Sequence, residues 1–177
     1  KDWNRVVFEL TTKVEDHPII LAGLYPPANS KTGQQHSNLT SNRITTVMGH
    51  NAYDWIDVFP FSPTKNPDID QSELKKMLMS EHGMNYRLDW FNRLKERVTS
   101  LDLKNAQLPV IYLCGDTVNC VFMMMKEKFV EVECLSKVLE IYTYAIENTK
   151  CIVMIDHPHP SAHLMARGEK KTRHRFE

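Results

Sequence analysis

The feature that most constrains the fold is an apolar run that ends abruptly in histidines and prolines. Residues 151–155 read Cys-Ile-Val-Met-Ile, and Asp156 and the sequence His157-Pro158-His159-Pro160-Ser161 follow directly. An apolar run of this length predicts a buried strand, and proline cannot donate the hydrogen bond that would prolong it. The strand therefore ends near His157. Ligands of open α/β sheets bind at the carboxyl ends of strands, so the polar side chains gathered here are candidates for a site.

The composition is that of an ordinary soluble globular domain. The chain has 177 residues, 42% of them hydrophobic and 25% charged, and its formal net charge is zero. We expect a single domain over residues 1–177, which could be a fragment of a longer protein. The balance of residues argues against disorder and against association with a membrane. With no overall positive charge, any contact with nucleic acid would depend on local patches.

The four cysteines show no paired spacing. They are Cys114, Cys120, Cys134 and Cys151, and the first and last lie within apolar, strand-like runs. We interpret them as reduced thiols of an intracellular protein, in the nucleus or cytoplasm, rather than as a disulfide or metal-binding set. No cofactor is expected.

Strand and helix patterns alternate along the chain. Apolar runs bounded by turn residues predict strands at 6–10, 18–23, 53–61, 108–115 and 151–157. Helical spacing predicts helices at 42–48, in two runs between residues 70 and 98, at 118–125 and at 135–147. Residues 26–41 are mostly polar and predict a long loop, which in a compact domain is usually functional. The alternation predicts an α/β domain with a mainly parallel sheet.

Three of these strands end in unusual loops. The loops are Gly23-Leu24-Tyr25-Pro26-Pro27, residues 57–63 with two prolines and two phenylalanines among them, and His157-Pro158-His159-Pro160-Ser161. The carboxyl ends of parallel strands meet at one edge of a sheet, so we expect the three loops to converge there.

These loops, in this order, resemble the motifs of the uracil-DNA glycosylase superfamily, and the resemblance runs from about Ile19 to His163. The first loop resembles the family's Gly-x-x-Pro motif, and His159-Pro160-Ser161 is similar to its terminal His-Pro-Ser motif. His36 falls where an aromatic residue stacks on the flipped base, and Asp57 stands where many members carry a base-reading Asn. The resemblance implies a divergent member with a three-layer α/β/α fold.

The resemblance also implies a set of roles. His159 would assist the departing base and Asp57 would read the base or polarise water, so these two are the catalytic candidates. Three further residues would contact the base: Tyr25, His36 and Phe59. Three would contact phosphate: Ser161, Arg43 and Asn29. For Arg43 the residue type itself supports the prediction, because arginine can bind phosphate through two hydrogen bonds, although it could equally form a structural ion pair. DNA or a nucleotide would be the partner, and the reaction would be hydrolysis of the N-glycosidic bond of an altered base.

Two departures from the family pattern keep an alternative open. Leu24 and Tyr25 occupy places where active members usually carry an acidic or amide side chain that positions water. An ionised Asp57 would repel a uracil carbonyl but could accept a hydrogen bond from the amino group of a cytosine-like or purine base. The alternative is a catalytically inactive module of the same fold that binds nucleic acid, a nucleotide or a protein.

A second alternative concerns metal binding. Asp156, His157, His159 and His163 lie close together in the chain, and alternate residues at a strand end can point to one ion. The same histidines could instead form only an aromatic rim. Because no other cluster has recognisable spacing, the prediction is that the site holds no metal.

Overall fold

The computed structural model describes residues 18–25, 53–60, 71–101, 103 and 107–157. These residues form an α/β fold with one six-stranded mixed sheet. The strands are β1 (Ile19–Ala22), β2 (Tyr53–Trp55), β3 (Val110–Cys114), β4 (Val130–Ser136), β5 (Ile141–Ile146) and β6 (Thr149–His157). The helices are α1 (Gln71–Met79), α2 (Met84–Ser100) and α3 (Asp116–Met124), with short 3-10 turns at Glu81–Gly83 and Lys126–Lys128. The predictions for 6–10, 26–41 and 42–48 lie outside the described residues.

The order of strands across the sheet is β2-β1-β3-β6-β5-β4. The first four are parallel, and β5 and β4 continue the sheet in antiparallel pairing. From β1 the chain moves outward to β2, whereas from β3 it moves in the opposite direction to β6. The strand order therefore reverses between β1 and β3, and such a reversal opens a crevice at the carboxyl ends of the strands.

The sheet has an apolar side chain layer on each face. Alternation along β1 places Ile20 and Ala22 on the first face and Ile19 and Leu21 on the second. The described helices supply the first face, where Leu78, Trp90 and Phe122 are almost completely buried. Val110, Met154 and Leu21 on the second face are buried just as fully. Burial on both faces explains why β1, β3 and β6 are almost continuously apolar.

The two helical runs between residues 70 and 98 are confirmed as α1 and α2. Their buried positions, Leu74 and Leu78 in α1 and Trp90, Leu94 and Val98 in α2, are four residues apart or nearly so, as one face of a helix requires. Arg87 joins the two helices, because its Nη1 atom donates to the carbonyls of Leu78 and Ser80. No helix within the described ranges is long and apolar enough to span a membrane.

The helix predicted at 135–147 is wrong. Residues 130–136 and 141–146 form the antiparallel strands β4 and β5 instead, so the sheet is mixed, with four parallel strands and two that continue it in antiparallel pairing. The sequence Ile-Tyr-Thr-Tyr-Ala-Ile of β5 is rich in β-branched and aromatic residues, which favour strands. Glu140 and Glu147, with φ values of 51° and 55°, adopt the left-handed conformation that tight turns use.

The strand predicted at 53–61 is shorter than expected. It ends at Trp55, but the backbone continues beside the end of β1, since Val58 donates to the carbonyl of Gly23 and Phe59 to that of Leu24, each over 2.9 Å. The other strand predictions, at 18–23, 108–115 and 151–157, are confirmed with boundary changes of a few residues.

Candidate functional site

The convergence predicted from the sequence is present at the carboxyl edge of the sheet. Because β2, β1, β3 and β6 are parallel neighbours, Asp57, Gly23, Gly115 and His157 follow or end them at the same edge. The turn between β4 and β5 brings Glu140 to this edge as well, where its carbonyl accepts a hydrogen bond from the amide of Ile155. We call this set of strand ends the carboxyl edge.

Gly23 and Asp57 are in direct contact at the carboxyl edge. The carboxyl group of Asp57 packs against the Cα atom of Gly23 so closely that a Cβ atom added to the glycine would lie 2.3 Å from Oδ1 of Asp57. Asp57 is only 5% exposed. The glycine of the first loop therefore has a physical purpose, which is to leave room for the carboxylate that follows β2.

The backbone around Asp57 is held by helix α2. Nη1 of Arg93 donates to the carbonyl of Asp57 over 2.8 Å, and Nη2 donates to that of Val58 over 2.9 Å. Nε of Arg93 is bound in turn to Asp89 on the same helix, over 2.8 Å. Trp90 adds a longer bond, from Nε1 to the carbonyl of Ile56, over 3.4 Å. The position of Asp57 is thus fixed from the backbone by a rigid element.

Cys114 at the end of β3 is electrostatically linked to Asp57. Burial, and secondarily the Asp57 carboxylate, raise the pKa of the Cys114 thiol well above its usual range. The thiol is therefore protonated at neutral pH and cannot act as a nucleophile, which requires the thiolate. Its sulfur instead lies 3.6 Å from the carbonyl of Tyr112.

The end of β6 is irregular. Tyr112 pairs with Met154 and Cys114 pairs with His157, so β6 has one extra residue at the carboxyl edge. Asp156 adopts a left-handed conformation there, with φ of 60°. Bulges of this kind occur often beside active sites, where they change the direction of the chain.

A pair of acidic side chains lies next to this bulge. Partial burial, and secondarily the neighbouring Asp156 carboxylate and its hydrogen bond, raise the pKa of Glu140. Within the described residues, no group of three or more histidine, cysteine, aspartate or glutamate side chains is arranged to hold a metal ion. The side chains of the histidines in the metal hypothesis, at 157, 159 and 163, lie outside that part of the structure.

The candidate residues that the structure describes have different environments. Tyr25 is partly buried and packs, with Leu24, against the first apolar face. Phe59 is 1% exposed and lies in the core, where its ring contacts that of Tyr86 edge-on at 5.0 Å between centroids. Such a ring has no free face to offer a base. The remaining candidates lie outside the described residues: Asn29, His36, Arg43, His159 and Ser161.

Sequence reasoning missed two residues of the carboxyl edge. Arg93 lies among other charged residues of α2, and only the structure shows that its guanidinium reaches backbone carbonyls of the loop after β2. Asn119, on α3, is a buried polar side chain that bonds to the ends of both β3 and β6. A polar residue within the otherwise apolar face of a predicted helix is the signal that could have identified Asn119.

Comparison with known proteins gives no relative from which to assign a family. No protein-family profile, no curated protein and no solved structure matches the chain.

Proposed function

We propose that the chain is a uracil-DNA glycosylase-like domain whose carboxyl edge recognises a nucleic-acid base. The observation that carries the proposal is the buried carboxyl group of Asp57, packed against Gly23 beside the reversal of strand order. Binding sites of open α/β sheets lie at such reversals, and a few fixed polar groups in an apolar surrounding give them specificity.

The proposal includes a three-layer α/β/α arrangement. All the described helices with buried side chains contribute to the first face of the sheet. The apolar side chains of the second face are nevertheless as buried as those of the first. Strands buried on both faces are typical of sheets covered by helices on both sides, and this burial supports a second helical layer.

In this proposal the carboxylate of Asp57 selects the class of base. A carboxylate accepts hydrogen bonds and donates none, so it favours a base with an exocyclic amino group over one with a carbonyl at that place. Because Asp57 is only 5% exposed, a base with a carbonyl at that place would leave two buried acceptors facing each other. Such a mismatch costs about 1–3 kcal/mol of binding free energy. The preferred substrate is therefore a cytosine-like or adenine-like base in DNA or in a nucleotide.

The reaction that fits this proposal is hydrolysis of the N-glycosidic bond. The bond between C1′ and the base nitrogen breaks, its electron pair leaves with the base, and the oxygen of water bonds to C1′. One proton of that water is released, and the departing base is stabilised or protonated. In the proposal His159, which lies outside the described residues, assists the base, while Asp57 reads it or polarises the water.

The second candidate function is a module of the same fold that binds without catalysis. The first loop favours it, because Leu24 and Tyr25 supply no carboxylate or amide and pack against the apolar face. Such a module would bind nucleic acid, a nucleotide or a protein partner.

Oligonucleotides that each contain one modified base separate these functions. One set carries bases with an exocyclic amino group, and a matched set carries uracil or hypoxanthine in the same context. Fluorescence anisotropy measures binding, and cleavage by alkali reports a lost base. We expect tighter binding of the amino set and alkali-labile sites within it. Binding without such sites would support the non-catalytic module, and binding of neither set would refute base recognition.

The variant Asp57→Asn tests the role of the carboxylate. Its amide can donate to a carbonyl, so we expect the preference between the two sets to move at least tenfold towards uracil and hypoxanthine. The matched control is Asp54→Asn on β2, where the aspartate is about half exposed and paired with Arg97. The control should leave the preference unchanged. An unaltered preference in Asp57→Asn would remove Asp57 from the site.

A further inference from the structure

The two strands at the centre of the carboxyl edge, β3 and β6, pair irregularly near their ends. Up to Tyr112 and Met154 they are paired in register, but the extra residue in β6 interrupts the ladder before Cys114 and His157. The amide of Asp156 is directed to a side chain instead, and donates to Oδ1 of Asn119 over 2.7 Å. A residue of α3 therefore takes the place of the missing partner in the sheet.

The other half of the Asn119 amide is bound to the end of β3. Its Nδ2 donates to the carbonyl of Gly115 over 2.7 Å, and the backbone amide of Asn119 donates to the same carbonyl over 3.2 Å. Asn119 is 6% exposed, so both bonds are largely shielded from water. The orientation of the amide is fixed chemically, because the N–H of Asp156 needs an oxygen and the carbonyl of Gly115 needs an N–H.

The residues at both ends of this bridge have unusual backbones. Asp156 is left-handed, which costs a residue other than glycine about 1–2 kcal/mol. Gly115 has φ of 92° and ψ of 167°, a region that essentially only glycine occupies. Such conformations persist when the surrounding contacts determine them, and the Asn119 amide contacts both residues.

We infer that Asn119 is a positioning residue of the candidate site, which ties the end of β3 to the bulge in β6 and fixes the backbone of Asp156 there. The inference rests on the proposed function, because it gives the bridge its purpose. On the other side of the reversal, Arg93 of α2 holds the loop after β2 in the same manner. Two helices on one face of the sheet thus orient the polar strand ends on either side of the crevice.

The variant Asn119→Ala removes both side-chain bonds. We expect hydrogen exchange at the Asp156 amide to become at least about tenfold faster relative to amides in the middle of β6. We expect the affinity for the preferred oligonucleotide to fall by a similar factor. The control is Thr143→Ala, a buried polar residue of β5. At equal loss of stability, the control should change neither Asp156 exchange nor affinity.

The variant Asn119→Asp separates the two bonds. The carboxylate still accepts from Asp156 but faces the carbonyl of Gly115 without a proton to donate. On protonation the hydroxyl can donate, so affinity relative to wild type should recover as the pH is lowered from 8 to 5. Asn119→Ala should show no such recovery, since it lacks a group to titrate.

The outcomes distinguish this inference from the proposed function. Exchange is measured without ligand, so it tests the bridge even if no oligonucleotide binds to the wild type. Unchanged exchange at Asp156 in Asn119→Ala, or an equal acceleration throughout β6, would overturn the positioning role. If Asp156 exchanges faster in Asn119→Ala as expected but the wild type binds no base, only the proposed function is refuted. Faster exchange with undiminished affinity would show that the bridge does not serve the site.

Discussion

Replacement of Gly23 by alanine should destabilise the protein mainly through one contact, with the carboxylate of Asp57. The new Cβ atom would lie 2.3 Å from Oδ1 of Asp57 and 3.2 Å from Cζ3 of Trp55. Ordinary contacts begin at 3.4 Å, so the carboxylate has to withdraw by about 1.1 Å, whereas the tryptophan ring has to yield only a few tenths of an ångström. Withdrawal is difficult, because Arg93 holds the backbone of Asp57. Overpacking of this kind costs about 1–3 kcal/mol.

A double-mutant cycle measures how much of that cost arises from Asp57. Chemical denaturation gives the free energy of unfolding of the wild type, Gly23→Ala, Asp57→Ala and the double variant. In the Asp57→Ala background the close oxygen is absent and only the tryptophan contact remains. We expect the cost of Gly23→Ala to fall there to below about 1 kcal/mol, with a coupling energy of about 1–2 kcal/mol. An equal cost of Gly23→Ala in both backgrounds would refute the reasoning.

Gly115→Ala is the matched control for this cycle. A Cβ atom at Gly115 meets nothing within 4 Å, but φ of 92° is unfavourable for alanine. This variant should therefore also lose about 1–3 kcal/mol, through the backbone alone. Because no contact with Asp57 is involved, its cost should be the same in the Asp57→Ala background. The two glycines would then be required for different physical reasons.

Three further predictions concern the surroundings of the carboxyl edge. Arg93→Met should lower the free energy of unfolding by about 1–3 kcal/mol, because two backbone carbonyls lose a charged donor. The control is Arg97→Met, whose partner Asp54 is half exposed. It should lower the free energy of unfolding by less than about 1 kcal/mol in the same denaturation assay. Mass spectrometry after alkylation at pH 8 should find the exposed Cys134 modified first, and Cys114 and Cys151 unmodified until the protein unfolds. Cys114 and Cys151 are buried, and burial raises the pKa of both thiols, that of Cys151 to about 12. Early modification of Cys151 would contradict this burial. Glu140→Gln should be more stable than the wild type by about 0.2–1 kcal/mol at pH 7, and the difference should vanish as the pH falls below about 4.3. The variant is the more stable protein at pH 7 because the raised pKa of Glu140 means that the folded state favours the protonated carboxyl group. The wild type therefore loses stability as this carboxyl group ionises with rising pH, and glutamine does not. A difference independent of pH would show that charge is not the cause.

The sequence predicted the strands that are buried on both faces better than those at the side of the sheet. β1 and β3 are continuous apolar runs and β6 contains one at residues 151–155, with glycine or proline after each strand, so the pattern can be recognised without knowing the neighbouring strands. The helix predicted at 135–147 covers β5 and only the last two residues of β4. Along β5, with the sequence Ile-Tyr-Thr-Tyr-Ala-Ile, apolar and polar residues do not alternate strictly, so no period of two indicates a strand. The pairing of β5 with β4 is also irregular, since the register shifts between Glu131 and Glu133 and again between Cys134 and Ser136.

The same distinction applies to the candidate site. Glycine, proline and histidine at strand ends indicated where the carboxyl edge would be, because these residues stop strands and the parallel topology collects their ends. The residues that hold the edge together could not be predicted, since a long side chain such as Arg93 reaches backbone atoms 35 and 36 positions earlier in the chain. Such contacts depend on how α2 lies against the sheet, which no local pattern specifies.

Gly23 and Asp57 are weak indications of a site when each is considered alone in the sequence, but their contact in the structure relates them to each other. Alone, a glycine after a strand indicates a turn, and a buried aspartate indicates either an ion pair or a site. In the structure the glycine makes room for the carboxylate of Asp57, while Arg93 holds the backbone carbonyl of the same residue. The proposed base-reading role would use this restraint, because discrimination between an amino group and a carbonyl depends on an acceptor that cannot move away.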